Sequence, residues 1–503
     1  MYQIYPRSFC DTTGDGVGDL GGVRRHLDHL AWLGVDALWL SPIYRSPMAD
    51  YGYDVADHCD VDPLFGSLDD LDRLVAEAHA RDLRVVLDWV PNHTSDRHPW
   101  FVDARRSRDA ERRDWYVWRD GDGPDRPPNN WLAAFPPDTP AWTWDERTGQ
   151  HYLHLFLPEQ PDLDWDHPDV EAAMHDVLRF WLDRGVDGFR ADVVHLIGKD
   201  PELPDLPDEL AAITPVALND HPSTHERLRR IRTLLDGYGG DRMMVGEVDP
   251  ADTRRVATYY GHGDELHLVF NFSPLYVPWE AEAWHGRIAR VLEEYGPRDA
   301  WPTWVLSNHD NPRHRTRYGS EARARAAAVL LLTLRGTPFL FAGEELGLED
   351  AEVPPQRVLD PGGHDGCRAP LPWTARLAGA GRASPGSPGP PTGRHATSRP
   401  QRADPGSVLH LYRQLLRLRR RSPALHRGDL VLDEGPEGVL VFHRRAGAER
   451  LTVAVNFTDD ERPLPGRGTR LLSTHASDDR EAGPPGDVLV GNEAVVLGDA
   501  VPG

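Results

Sequence analysis

Eight short apolar runs, most separated by stretches with helical spacing, constrain this chain more than any other feature. The runs are Gln3–Phe9, Ala37–Leu40, Arg84–Val90, Gly188–Val193, Met243–Val248, His267–Phe272, Thr303–Leu306 and Pro338–Phe341. Between several of them, apolar residues recur with the period of an amphipathic helix, as in Leu68–Arg81, Val170–Arg184 and Ala322–Leu334. A strand-then-helix alternation predicts a parallel sheet, and eight such units predict an α/β fold closed as a (β/α)8 barrel.

Two places break the alternation. Residues 92–166 form a long Trp-, Pro- and Gly-rich stretch after the third strand, too long for a plain loop in a compact domain. They are expected to be an inserted subdomain over the barrel mouth. After a helix at Leu409–Arg421, short alternating runs at Val439–His443, Leu451–Val455 and Asp487–Val490 predict a C-terminal antiparallel β domain. The expected division is therefore barrel over 1–91 and 167–425, subdomain over 92–166, and β domain over 426–503. The stretch Gly379–Arg399 is rich in Pro, Gly and Ser, lacks periodicity, and reads as a flexible surface segment.

In such a barrel, functional groups stand at the C-terminal ends of the strands. Here those ends are polar: Asp88-Trp89-Val90-Pro91-Asn92-His93, Arg190-Ala191-Asp192, Glu247-Val248, and Ser307-Asn308-His309-Asp310. Asp192, Glu247 and Asp310 thus point toward one mouth from three strands. Cleavage of a glycosidic bond needs two carboxyl groups, one at the anomeric carbon or on water and one protonating the leaving oxygen. Arg190, two residues before Asp192 on the same strand face, favours its ionised form.

Composition narrows the partners. A formal net charge of −24 argues against nucleic acid or an anionic membrane surface and suits a neutral small molecule. No apolar run approaches the length of a membrane span, and no signal-peptide pattern opens the chain. Met1–Tyr5 enters a strand at once, an abrupt opening that reads as a clipped or misassigned start. The three cysteines, Cys10, Cys59 and Cys367, form no C-x-x-C pair, which argues against zinc and predicts reduced thiols in the cytoplasm. Lys199 is the only lysine in the chain and reads as codon bias.

The four polar segments resemble the four signature regions of the α-amylase family, family 13 of the glycoside hydrolases. Leu157–Trp165 resembles the fifth, in the form found in oligo-1,6-glucosidases and α-glucosidases. The resemblance runs from the first strand to the C-terminal domain. It implies a TIM barrel with a subdomain after strand three and a C-terminal β-sandwich. It also implies Asp192 as nucleophile, Glu247 as general acid/base and Asp310 as transition-state stabiliser of a retaining, exo-acting α-glucosidase. Asp50-Tyr51-Gly52-Tyr53-Asp54 resembles the family loop in which the Asp binds the non-reducing glucose and the Tyr stacks on it. His93, Arg190 and His309 are then hydrogen-bonding partners of the sugar. Arg368 would pair with Asp50 to close the pocket, and Phe156 and Gln160 would line it. Val193, following the nucleophile, accompanies α-1,6 activity in the resembling glucosidases.

Asp11-Thr12-Thr13-Gly14-Asp15-Gly16-Val17-Gly18-Asp19 places oxygen ligands at alternate positions around Gly turns, as a hard cation requires. It resembles the family's calcium loop, with Thr13 in place of Asn. The resemblance implies a structural Ca2+ held by Asp11, Thr13, Asp15, Val17 and Asp19, and no organic cofactor. The expected substrate is a short oligosaccharide or other α-glucoside, and the expected state a monomer or homodimer. The same machinery serves glucosyl transfer, sucrose isomerisation and trehalose synthesis. The chain lacks an R-L-D-R-D isomerisation motif, and its C-terminal part differs from that usual in trehalose synthases. Transporter-associated relatives have lost catalytic acids and gained a membrane span; this chain keeps the acids and has no span.

Overall fold

The structure is a computed structural model that describes residues 1–248, 253–373, 398–466, 468–475 and 488–498. Eight strands, β1 (Tyr2–Ile4), β2 (Ala37–Leu40), β3 (Arg84–Trp89), β4 (Gly188–Ala191), β5 (Met243–Gly246), β6 (Leu268–Val269), β7 (Thr303–Val305) and β8 (Thr337–Phe341), form one sheet in the order β6-β5-β4-β3-β2-β1-β8-β7. Every pairing within it is parallel. The outer pair, β6 and β7, is joined by one buried side chain: the Asn271 amide donates to Thr303 Oγ1 (2.9 Å), which donates to the Val269 carbonyl (2.9 Å). The sheet thereby closes as a barrel around Trp39, Val86, Val245, Phe270, Val305 and Phe339.

Two strand expectations needed correction. The first run stops at Ile4, because Pro6 occupies the first position of a helical turn over Pro6–Phe9, where its fixed φ and missing N–H suit the start of a helix. The sixth strand is only Leu268–Val269, and Thr303 takes over where ladder bonds end. The helices follow the apolar spacing. Leu68–His79 starts at a reciprocal Ser67/Asp70 capping box and buries Leu71, Leu74, Val75 and Ala78; Pro168–Asp183 opens with Pro at its first position.

Residues 92–166 hold a three-stranded antiparallel sheet, with Gln150–Leu153 between Trp118–Arg119 and Trp142–Asp145. Single bridges His93↔Asp162 and Tyr116↔Leu163 fasten the segment's two ends together beside the end of β3. After the helix Val408–Arg421, five antiparallel strands follow, spatially Asp429–Asp433, Val439–Ala446, Glu449–Asn456, Ala494–Gly498 and Thr469–Ser473. Alternation sorts their side chains. Leu440, Phe442, Val453 and Val455 join the main core, whereas Val441, Ala454, Val495 and Leu497 pack on Leu489 of a two-stranded ladder behind them. Of the Pro/Gly-rich stretch, residues 379–397 lie outside the described residues, and 398 and 399 open a helix over Ser398–Ala403. Asp487, expected to begin the last of the three C-terminal runs, also lies outside them. Among the described residues no helix is long and apolar enough to cross a membrane.

Candidate active site

Register brings the charges together. In the parallel ladders Asp88 of β3 stands level with Arg190 of β4, which stands level with Val245 of β5. One step on, the Asp192 amide donates to Trp89 O and the Glu247 amide to Ala191 O (both 2.8 Å), so both carboxylates leave the barrel at the same level. Gly188 permits the close approach of β4 and β5, since a Cβ there would collide with the Met243 carbonyl.

Arg190 is the hub. Its Nη1 donates to Asp88 (2.7 Å) and Asp192 (2.6 Å), its Nη2 donates to Glu247, and its guanidinium lies over the Trp39 ring. Three carboxylates surround one cation in a buried site. Burial pushes Asp88 up to about 6 against the pull of Arg190. Burial likewise pushes Asp192 up, opposed by Arg190 and reinforced by Glu247 and Asp88. The cluster therefore keeps a proton well above the ordinary carboxylate range, and that proton belongs to the group as a whole.

Asp310, at the end of β7, behaves oppositely. Burial would raise it, but His309, protonated in the acid range where Asp310 titrates, and Arg368 outweigh that and hold it at about 2, an anion throughout the physiological range. His309 lies between the Tyr5 and Tyr53 rings, stacked at 5.5 Å on Tyr53, and contacts Gln3 Nε2 (2.8 Å) and Tyr53 Oη (2.5 Å) through its two nitrogens. Burial keeps both His309 and His93 neutral, each near 3. Asp50, on the loop after β2, is pushed up to about 8 by burial despite Arg368 and the Gln160 amide.

These groups line a cavity of about 280 Å³. Asp50, Tyr53, His93, Arg190, Asp192, Glu247, His309, Asp310 and Arg368 all reach it, as do Phe156 and Val193. Two expectations change. Gln160 lies behind the wall: its amide accepts from Leu157 N–H (3.1 Å) and meets Asp50 (2.9 Å) and His93 (3.1 Å), so it orients two lining residues. Arg368 closes the cavity without pairing with Asp50. It binds Asp310 (2.8 Å), Asp360 (2.5 Å) and the His309 carbonyl (2.7 Å), and acts on Asp50 only through its field. Three of its N–H groups go to those oxygens, and the amide of Gln160 stands beside Asp50.

Several lining residues were not foreseen. Asp360 lies on an irregular stretch and His364 opens the 3-10 turn His364–Gly366, neither with strand-end placement or a spacing signal. Phe135, Phe272 and the exposed Tyr276 join Phe156 in a group of aromatic side chains lining the cavity. Asp88 was visible in the sequence as the one charged residue of the run Val85–Trp89, and the structure sets it level with Arg190.

The loop after β1 wraps around its own carboxylates. Asp11 accepts from the amides of Thr13 (2.9 Å), Gly14 (2.6 Å) and Gly16 (2.9 Å), and Asp15 from Val17 (2.8 Å). Asp19 accepts from Thr12 (2.8 Å) and caps the helix Leu20–Arg25 through Gly22 (2.7 Å). Among the described residues no three His, Cys, Asp or Glu side chains converge as a metal cluster. A cation here would need Thr13 oxygen and the Val17 carbonyl beside the carboxylates, an oxygen-only set of the kind a hard cation takes.

Comparison with known proteins agrees with this geometry. The model of the alpha amylase catalytic domain matches residues 3–428. A "probable alpha-glucosidase" of Rhizobium meliloti (strain 1021) is 40% identical, covering 94% of this chain and 92% of its own. An oligo-1,6-glucosidase of Parageobacillus thermoglucosidasius is 36% identical over 91% and 90%. The crystal structure of an alpha-glucosyl transfer enzyme, XgtA, superposes with a TM-score of 0.89 at 38% identity, covering 99% of this chain and 98% of that one. With the barrel, the strand-end carboxylates and a family match spanning most of its length, the chain belongs to the alpha-amylase family of glycoside hydrolases.

Proposed function

We propose that the protein is a retaining, exo-acting α-glucosidase that removes single glucose units from short α-glucosides. The observation that carries this reading is the shared guanidinium of Arg190, which grips Asp192 and Glu247 side by side at the mouth of one cavity. Retaining glycosidases keep their two carboxyl groups ~5 Å apart, closer than inverting enzymes, which leave room for a water. The Asp360–Arg368–Asp310 ion-pair row walls the cavity, which favours removal of one terminal sugar over internal cleavage.

Asp192 attacks the anomeric carbon as the bond to the leaving oxygen breaks, and Glu247 gives that oxygen its proton. A β-glucosyl ester and a free alcohol result. Water then attacks the same carbon, Glu247 takes its proton, and the ester oxygen leaves with its electron pair; the α configuration returns. Of the three carboxylates that Arg190 holds, the side chain of Glu247 is the most exposed, at 16% against 9% for Asp192 and 0% for Asp88, which suits the group that must meet the leaving oxygen and then water. Anionic Asp310 holds hydroxyls of the distorted sugar and counters the positive charge developing at its ring.

Transfer to an acceptor hydroxyl in place of water is a side reaction of the same ester. The aromatic residues Phe135, Phe156, Phe272 and Tyr276 favour it by offering ring faces to an acceptor. The Asp11–Asp19 loop takes a structural calcium ion through Asp11, Thr13, Asp15, Val17 and Asp19. The three unpaired cysteines suit a reducing, cytoplasmic setting.

The test uses an activated aryl α-glucoside. Asp192→Ala abolishes turnover, and Glu247→Ala is rescued by azide, giving α-glucosyl azide from the ester on Asp192. Turnover by Asp192→Ala, or a β-azide product, would sink the assignment.

A further inference from the structure

Of the 56 lysines and arginines in this chain, Lys199 is the only lysine. Everywhere else a cation was wanted, arginine serves. At this one position the surroundings suit an ammonium. Lys199 Nζ, on a side chain only 10% exposed, donates to Leu196 O (2.8 Å) and Asn92 Oδ1 (2.9 Å) and pairs with Asp162 Oδ2 (3.0 Å). Three donors meet three oxygens, and none is left over. A guanidinium carries five donors in a rigid plane, which cannot converge on three oxygens from one nitrogen.

The three oxygens belong to three different pieces of the molecule. Asn92 lies three residues past the end of β3 and precedes His93. Leu196 lies in the 3-10 turn Val194–Leu196, directly after Asp192 and Val193. Asp162 is on the returning end of the inserted segment, two residues past Gln160. These pieces are also linked to each other. Asn92 Nδ2 donates to Asp162 Oδ2 (3.2 Å), and Asp162 Oδ1 accepts from the Leu155 amide (3.0 Å). From Gln160 the contacts run on to His93 (3.1 Å) and Asp50 (2.9 Å), both on the cavity wall. The ammonium is thus the common point of the segments carrying His93, Asp192 and Gln160.

We propose that Lys199 is a positioning residue for sugar recognition: its ammonium locks the inserted segment onto the ends of β3 and β4, so that His93, Gln160 and Asp50 stand in line along the sugar pocket. Lys199 touches no substrate, and the proposal rests on the reading of that cavity as a glucose site.

The experiment compares the full-length wild type with Lys199→Met and Lys199→Arg. Two readouts are taken well below the melting temperature: kcat and KM for p-nitrophenyl α-glucoside, and amide hydrogen exchange over residues 92–96 and 160–163. A displacement of this kind costs up to about a hundredfold in rate. Both variants are therefore expected to lose about tenfold to a hundredfold in kcat/KM, mostly through KM, with faster exchange in both segments and no rescue by arginine. A variant with a lower melting temperature but wild-type KM and exchange would overturn the proposal in favour of a simple brace. So would wild-type constants in Lys199→Arg. Should Lys199→Met not fold, Lys199→Gln carries the same comparison. If the wild type turns over no α-glucoside, the glucosidase reading fails by itself, and exchange decides: acceleration upholds the positioning role of Lys199, and unchanged protection overturns it.

Discussion

Val193 shows how much one residue can carry. It follows Asp192 with φ +36° and ψ 41°, a left-handed conformation that a β-branched side chain adopts only under constraint. Such strain concentrates at functional sites. Here it turns the side chain into a cluster with Trp131, Leu155 and Leu203 while leaving it on the cavity wall. A threonine in its place adds a hydroxyl that can bond an incoming sugar or water, worth about 1 kcal/mol and so under tenfold in rate. Val193→Thr is therefore expected to lower the ratio of α-1,6 to α-1,4 kcat/KM by less than tenfold, measured with isomaltose and maltose. An unchanged ratio would move linkage control elsewhere. At this scale the sequence was informative where chemistry sits at strand ends. Asp192, Glu247, Asp310 and Arg190 could be named from their place on the strands. The partners of Arg368 could not, because Asp360 stands on an irregular segment whose path no local pattern encodes.

Elements were legible in proportion to their length. Helices such as Leu68–His79 have enough turns for the apolar period to show, and strands such as Arg84–Trp89 enough residues. The two-residue β6 has neither, and its neighbour β7 is joined to it by a threonine hydroxyl that no pattern announces. The Asp11–Asp19 loop belongs to this scale too. Its carboxylates already organise the turn by accepting backbone amides, and Asp19 caps the following helix, a role worth about 1 kcal/mol. With calcium bound in addition, chelation is expected to lower the melting temperature by several degrees, while the still-folded enzyme keeps most of its activity. Asp15→Ala is expected to melt alike with and without chelator. A wild type indifferent to calcium would leave the loop as a turn and a cap only.

The whole molecule stores its titration behaviour in buried groups. Burial pushes Glu344 up to about 8, against the Phe341 amide and Arg313, and raises Asp50 and Asp88 to about 8 and about 6. In an unfolded chain such carboxyls titrate near ~4. Between ~4 and ~8 the folded state therefore binds more protons, and these groups make stability fall as pH rises. Buried His29, His58, His93, His309 and His314 act oppositely, being held near 4, 4, 3, 3 and 3 by burial. They add stability as pH rises toward ~6.5, the unfolded value, and nothing beyond it. Above ~6.5 the carboxyl slope continues, joined by His225, which hydrogen bonds to Asp220 and Glu265 raise to about 9, and opposed by the Met1 amino group, which burial lowers to about 6. The melting temperature is thus expected to decline from pH 6.5 to 8, and Glu344→Gln to flatten that decline in scanning calorimetry. An unaltered slope would mean that Glu344 does not carry it.

If Asp192 and Glu247 run a double displacement on an α-glucoside, the anomer released first reveals it. Proton NMR, recorded within the first minutes of maltose or p-nitrophenyl α-glucoside hydrolysis, resolves the two anomers before they equilibrate. α-Glucose is expected first, with the β signal growing only as mutarotation proceeds. β-Glucose as the initial product would contradict the double displacement, because a single displacement by water would then have done the work assigned to the ester on Asp192.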